Sequence, residues 1–219
     1  MMYSFAQRND TKVVDEPFYG YYLTKSKTKH PGQREIIDVM ETDPGKIVKN
    51  IFSNREKPVL FLKNMAHHLI EMDLTFLKKM INLFLIRDPK KLITSFARVI
   101  PNPAVTDIGV KKQFDLFNLL EDYNPVVLDS GELLKDPQKV LQRLCETLAI
   151  PFDKNMLFWP AGPIKEDGIW AKYWYKNVHA STGFERPVDK NDALPGHCRD
   201  LYKDSKIYYD QLYHYSIKA

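Results

Sequence analysis

The sequence predicts an α/β fold, a parallel sheet with helices on both faces, and three observations carry that reading. Short apolar runs stand at 58–63, 81–86 and 125–129, each the length of one strand. Amphipathic helical patterns separate them. Strands buried on both faces lose the polar–apolar alternation of a half-solvated sheet, so uninterrupted runs alternating with helices indicate parallel pairing.

Taken in order, residues 2–8 predict a short helix ending near Asn9-Asp10, and Lys12-Val13-Val14-Asp15 a short buried strand stopped by Pro17. The block from Tyr19 to Gly32 is aromatic and then basic (Lys25, Lys27, Lys29, His30) and reads as an exposed loop. Pro44 opens an amphipathic helix carrying Ile47, Val48, Ile51 and Phe52 to about Asn54. Pro58 to Lys63 is the next buried strand. A helix over Asp73–Met80 precedes the strand Ile81–Ile86, and a helix over roughly Pro89–Val99 follows it. A further helix near Val110–Asp122 leads to the strand Pro125–Asp129. Asp136-Pro137 then starts a helix with Val140, Leu141, Leu144, Cys145 and Leu148 on one side, ended by Pro151.

From Phe158 the texture changes to an aromatic loop region, 158–195, holding Trp159, Trp170, Tyr173, Trp174 and Tyr175. Aromatic side chains bury large areas with or without a ligand, so it serves either as a clamp onto the sheet or as a binding surface. Leu201, Tyr208, Leu212 and Tyr215 fit a closing amphipathic helix within 196–219. With no internal repeat, a single domain over 1–219 suffices, its α/β core at 1–157.

Composition bounds the function. At 219 residues, 44% hydrophobic and 12% aromatic, the chain has material for one large core. A net charge of +4, from 32 basic and 28 acidic side chains, permits anionic ligands without demanding nucleic acid. Two cysteines, Cys145 and Cys198, make no disulfide framework and suit a reducing, cytoplasmic setting. No apolar run approaches the ~20 residues of a membrane span. The chain therefore reads as soluble, although a helix-like segment at its first residue is an unusual start.

Ligands of open parallel sheets bind beyond the carboxyl ends of the strands. Those ends here carry Asp15 and Glu16, Lys63 to His68, Arg87 and Asp88, and Asp129 to Gly131. The sharpest unit is Leu83-Phe84-Leu85-Ile86-Arg87-Asp88-Pro89 with Ser95 on the ensuing helix. A strand-end arginine offers a planar fork to phosphate, and a helix beyond it offers oriented N–H groups and a hydroxyl. The competing reading is a local Arg87–Asp88 ion pair and a Ser95 that back-bonds within its helix.

The segment FLIRDPKKLITSFARV, with Arg87 and Ser95 eight residues apart, resembles the 3′-phosphate-binding motif of sulfotransferases that use 3′-phosphoadenosine 5′-phosphosulfate. The likeness extends through DEPFY at 15–19, KNMAHHL at 63–69 and WAKYWYKNVHASTGF at 170–184. It implies a P-loop-type parallel sheet, 3′-phosphate contacts from Arg87 and Ser95, and further cofactor contacts from Trp170, Thr182, Gly183 and Phe184. It also implies a first strand and a 5′-phosphosulfate loop ahead of the first helix. Met1 to Arg8 looks like that helix, so the strand and loop are expected to precede Met1, lost by truncation or by a misplaced start codon.

Sulfonyl transfer needs a base for the acceptor proton and a cation for the departing bridging oxygen. His67 and His68 are candidates for the base, Glu16 competes with them, and Lys63 is the candidate cation. Either histidine could equally cap a helix or pack on Phe61 or Leu69. Adjacent histidines are not spaced as metal ligands on a helix face, and the chemistry requires no metal. The expected function is transfer of a sulfonate to an acceptor hydroxyl or amine on a small molecule or glycan, with poor or no transfer expected of this chain without the preceding loop. A non-catalytic nucleotide-binding or interaction domain of the same fold is the alternative.

Overall fold

The computed structural model describes residues 1–26, 29–98, 102–185 and 193–219, so the expectations placed on Lys27, on Val99 and on 186–192 of the aromatic region lie outside the described residues. In chain order the helices α1 to α4 are Met2–Ala6, Tyr19–Lys25, Gln33–Val39 and Pro44–Ser53. Next come α5 to α8 at Pro89–Phe96, Val105–Ile108, Val110–Leu119 and Ser130–Lys135. The last four, α9 to α12, are Pro137–Thr147, Ala171–Trp174, Lys176–His179 and Arg199–His214. Strands β1 to β5 are Thr11–Asp15, Val59–Lys63, Leu83–Ile86, Val126–Asp129 and Ser216–Ile217. Among the described residues no helix is long and apolar enough to cross a membrane.

The α/β class and the parallel pairing hold, but the strands form two small sheets where one was expected: β1-β2, and β3-β4-β5. The chain divides accordingly into two compact units, Met1–Asp73 with Asp153–Phe184, and Leu74–Phe152 with Glu185–Ala219.

In the first unit β1 and β2 run parallel from Thr11↔Val59 to Asp15↔Lys63. Phe5 of α1 stacks on Phe61 of β2 at 4.2 Å between ring centroids, fixing the short helix to the sheet. Asp43 accepts from the Lys46 N–H at 2.9 Å and Pro44 takes the first helical position, so α4 starts where the sequence places it. The exposed loop expected over 19–32 is corrected. Residues 19–25 form α2, whose Tyr19, Tyr21 and Leu23 are buried, and α3 follows. Tyr19, Leu23, Ile36 of α3 and Trp170 make one apolar cluster. Burial against a partner distant in sequence outweighs the loop-like local composition. Strand β2, expected to be buried, is half-buried throughout.

In the second unit β3 pairs with β4 from Leu83↔Val126 to Ile86↔Asp129, and β4 pairs with the short terminal β5. Asp88 and Asp136 cap α5 and α9, accepting from Lys90 N at 2.8 Å and Lys139 N at 3.0 Å, with Pro89 and Pro137 in the first turns. Helix α9 buries Val140, Leu141, Leu144 and Cys145, the face its periodicity predicts. Two elements are shorter than expected. The 73–80 helix is only a 3-10 segment, Thr75–Lys79, and β3 begins at Leu83, leaving Ile81 61% exposed.

Candidate functional site

The register Asp15↔Lys63 sets the carboxyl ends of β1 and β2 side by side, and the first unit builds its polar cluster there. The pairing extends one residue further, because Glu16 N–H donates to the Lys63 carbonyl at 2.7 Å. Glu16 sits at φ 41, a left-handed conformation that costs a side-chain-bearing residue and is held by its surroundings. Its carboxylate, like that of Asp15, is buried.

Lys63 Nζ bonds directly to Glu16 Oε1, donates to the Tyr175 hydroxyl at 2.7 Å and stands 3.5 Å from Asp15 Oδ1. The Tyr175 hydroxyl in turn lies 2.8 Å from both Asp15 oxygens, and Gly168 N–H donates to Asp15 Oδ2 at 3.2 Å. Burial lowers the Lys63 ammonium from its ordinary value, opposed by the Asp15 charge. Burial and Asp15 push the Tyr175 phenol well up, so it donates and does not ionise.

His68 lies in the 3-10 turn Ala66–His68 that follows β2. It is 2% exposed, with its Nδ1 facing Glu16 Oε2 at 3.7 Å, beyond hydrogen-bonding distance and with no other partner. Its ring stacks on Tyr19 and Tyr22, while His67 meets Tyr22 edge-on at 5.2 Å. Burial lowers His68 from 6.5 to about 2, helped by the charges of His67 and Lys63.

A third carboxylate, Asp167, with its side chain 6% exposed, belongs to the same unit. Asp167 Oδ2 accepts from the Tyr3 hydroxyl at 2.6 Å and from Ile164 N–H at 3.2 Å, and His179 Nε2 lies 2.9 Å away. Burial, reinforced by Asp167, raises the Tyr3 phenol above its ordinary value. Trp170 is buried in the α2–α3 cluster, its indole N–H without a hydrogen-bond partner. Thr182 accepts through its carbonyl from Trp159 N–H at 3.1 Å, Gly183 bridges Phe158, and Phe184 packs edge-on against Trp159 at 5.1 Å. Thus Glu16, Lys63 and His68 come together, with Trp170 in the same unit, while 182–184 form a separate bridge to 158–159. Tyr175, Asp167, Tyr3 and His179 were missed by sequence reasoning. Tyr175, Asp167 and His179 stand in the aromatic loop region and Tyr3 in the first helix, and no local pattern marks them, since their partners lie up to 164 residues away.

In the second unit, Arg87 leaves β3 exposed, immediately before α5. The Arg87–Asp88 ion pair considered from sequence is not formed among the described residues; Asp88 is engaged as the helix cap. Ser95 is exposed two turns along α5, whereas the neighbouring Thr94 back-bonds to the Lys90 carbonyl at 2.6 Å. An exposed guanidinium suits an anion, while the Lys90 N–H at the start of α5 is already taken by the Asp88 carboxylate. Among the described residues no group of three or more His, Cys, Asp or Glu side chains is arranged to hold a metal ion.

The sequence profile of the family described as "Sulfotransferase domain" matches residues 1–214. The chain belongs to that sulfotransferase family. This sulfotransferase domain is also similar to two curated Arabidopsis thaliana proteins. It is 37% identical over 216 residues, 97% of the chain, to "Branched-chain-amino-acid aminotransferase-like protein 1". To "Branched-chain-amino-acid aminotransferase-like protein 2" it is 35% identical over 199 residues, 89% of the chain. The domain spans 39% and 35% of the length of these relatives. Among solved structures it is similar to a "Sulfotransferase Domain from the Curacin Biosynthetic Pathway", at 18% identity and a TM-score of 0.45 over 88% of this chain and 77% of that one.

Proposed function

We propose that this domain transfers a sulfonate group from 3′-phosphoadenosine 5′-phosphosulfate to an acceptor hydroxyl or amine. The observation that supports it most is the Lys63–Glu16 pair at the paired strand ends, a half-buried ammonium on a buried carboxylate in a member of the sulfotransferase family. In the first unit Glu16 is the proton acceptor and Lys63 the cation that neutralises the departing bridging oxygen. Glu16 is preferred to His68 because burial holds that imidazole near 2, too weak a base at neutral pH. Glu16 Oε1 is engaged by Lys63, whereas Oε2 faces the neutral His68 ring at 3.7 Å and is the oxygen assigned to the acceptor proton.

In the reaction the acceptor oxygen or nitrogen forms a bond to sulfur as the bond from sulfur to the bridging oxygen breaks. The acceptor proton moves to Glu16, and the adenosine bisphosphate leaves. In the second unit, Arg87 and Ser95 are assigned to the 3′-phosphate, which fits an exposed guanidinium with no acidic neighbour bound to it among the described residues. The grip on the 5′-phosphosulfate is assigned to the strand and loop that the family resemblance places ahead of the first helix.

Transfer of labelled sulfonate to a panel of hydroxyl and amine acceptors, by a chain that includes that strand and loop, tests the proposal. Glu16→Gln is expected to lower turnover by about 10²–10⁴ with bisphosphate affinity nearly unchanged. Full turnover in Glu16→Gln, with loss in His67→Ala, would move the base to the histidine.

A further inference from the structure

The Lys63 ammonium has two carboxylates within reach, and what decides between them is a phenol. Glu16 Oε1 is in direct contact with Nζ, while Asp15 Oδ1 stands back at 3.5 Å. Asp15 is the more deeply buried of the two carboxylates, with its side chain 1% exposed against 8% for Glu16. In a low-dielectric site an ammonium left to itself would collapse onto that carboxylate. Tyr175 prevents this. Its hydroxyl lies 2.8 Å from both Asp15 oxygens and accepts from Lys63 Nζ at 2.7 Å, with the ring face 4.9 Å from the same nitrogen.

A phenol has one proton to donate and lone pairs to accept with. With two carboxylate oxygens at 2.8 Å, that proton is committed to Asp15, and the lone pairs face the ammonium. Lysine has three N–H donors. One meets Glu16 and one meets Tyr175, so among the described residues the third is left with only Asp15, at 3.5 Å.

We propose that Tyr175 is a positioning residue that satisfies Asp15 and thereby reserves the Lys63 ammonium for Glu16 and for charge developing on the substrate. The inference rests on the sulfonate-transfer reading for its catalytic meaning, but not for its geometry. It gives Tyr175 no role in proton transfer: the phenol is flanked by two carboxylates and stays protonated.

The test follows the Lys63 titration by NMR with labelled lysine in the 219-residue chain, comparing wild type, Tyr175→Phe and the exposed control Tyr173→Phe. The charged or titratable groups that bear on Lys63 are Asp15, Glu16, Asp167 and Tyr175, with His68 and the N-terminal amine also coupled to it. Tyr175→Phe keeps the ring and removes the hydroxyl, so Lys63 moves onto Asp15 and its midpoint rises by about one pH unit. Turnover falls while the substrate KM stays near that of wild type. Combining Tyr175→Phe with Asp15→Asn removes the competing carboxylate and returns turnover toward the Asp15→Asn value, a non-additive pair.

If Tyr175→Phe does not fold, 3-fluorotyrosine at 175 carries the test. It is nearly isosteric, a stronger donor to Asp15 and a weaker acceptor from Lys63, so the midpoint falls. An unmoved Lys63 midpoint in either variant overturns the proposal. A shifted midpoint together with no sulfonate transfer by a chain that includes the 5′-phosphosulfate loop leaves the positioning role standing and defeats the sulfonate-transfer reading alone.

Discussion

The His68 imidazole lies parallel to the Tyr19 ring, with 4.8 Å between centroids and 7° between planes. Tyr22 stacks on the same imidazole at 4.7 Å. Two aromatic faces and burial leave the ring no room for a hydration shell, so its neutral form is the folded form.

That makes stability pH-dependent with a definite sign. His68 is lowered from 6.5 to about 2, so between those values the unfolded chain binds a proton that the folded chain refuses. The stabilisation is present above pH 6.5 and is lost as pH falls, by about 1.4 kcal/mol per pH unit for one proton. Urea unfolding at pH 7 and pH 5 measures it. His68→Phe, which keeps a ring in the stack, is expected to flatten the dependence by about one proton; an unchanged slope would place the titrating group elsewhere.

A close approach of backbone to ring underlies the next expectation. A Cβ at Gly168 would overlap the Trp170 indole, and Gly168 N–H is also a hydrogen-bond donor to Asp15. Gly168→Ala should cost about 1–3 kcal/mol, as overpacking does in a filled core. Thermal unfolding compared with Gly196→Ala, where a Cβ meets nothing within 4 Å, separates crowding from the general effect of replacing glycine.

The C-terminal strand depends on one carboxylate. Glu132 Oε1 accepts from Lys135 Nζ at 2.5 Å and from the Tyr213 hydroxyl at 2.6 Å, and Oε2 accepts from Ala219 N–H at 3.0 Å. Burial works against its charge, yet the bonds from Lys135 and Tyr213 prevail and bring it from 4.5 down to about 2. Glu132→Ala should cost about 1–3 kcal/mol and loosen residues 216–219, read as a lower urea midpoint and faster amide exchange at Ile217.

Much of this was legible because local chemistry and tertiary structure agree. Asp43-Pro44, Asp88-Pro89 and Asp136-Pro137 each pair a capping carboxylate with a residue suited to the first helical turn, and all three open helices. The apolar runs at 59–63, 83–86 and 126–129 are strands because little else suits so short an apolar stretch. Residues 19–25 were not legible: their aromatic and basic character reads as a surface, and partners distant in sequence, Ile36, His68 and Trp170, bury Tyr19. The same holds for the site. Glu16 and Lys63 stand at strand ends, a position with chemical meaning in any parallel sheet, whereas Tyr175 acquires its role only from Asp15, 160 residues away. No periodicity encodes such a contact.

The central claim is tested most directly by calorimetric titration with adenosine 3′,5′-bisphosphate, which needs no knowledge of the acceptor. Saturable binding by the wild-type chain is expected, with affinity about ten- to hundredfold weaker in Arg87→Ala, the loss of one charge-assisted phosphate contact worth ~1.5–3 kcal/mol. Circular dichroism establishes that both proteins are folded. Equal affinity in the two, or no binding by a folded wild-type chain, would contradict that claim.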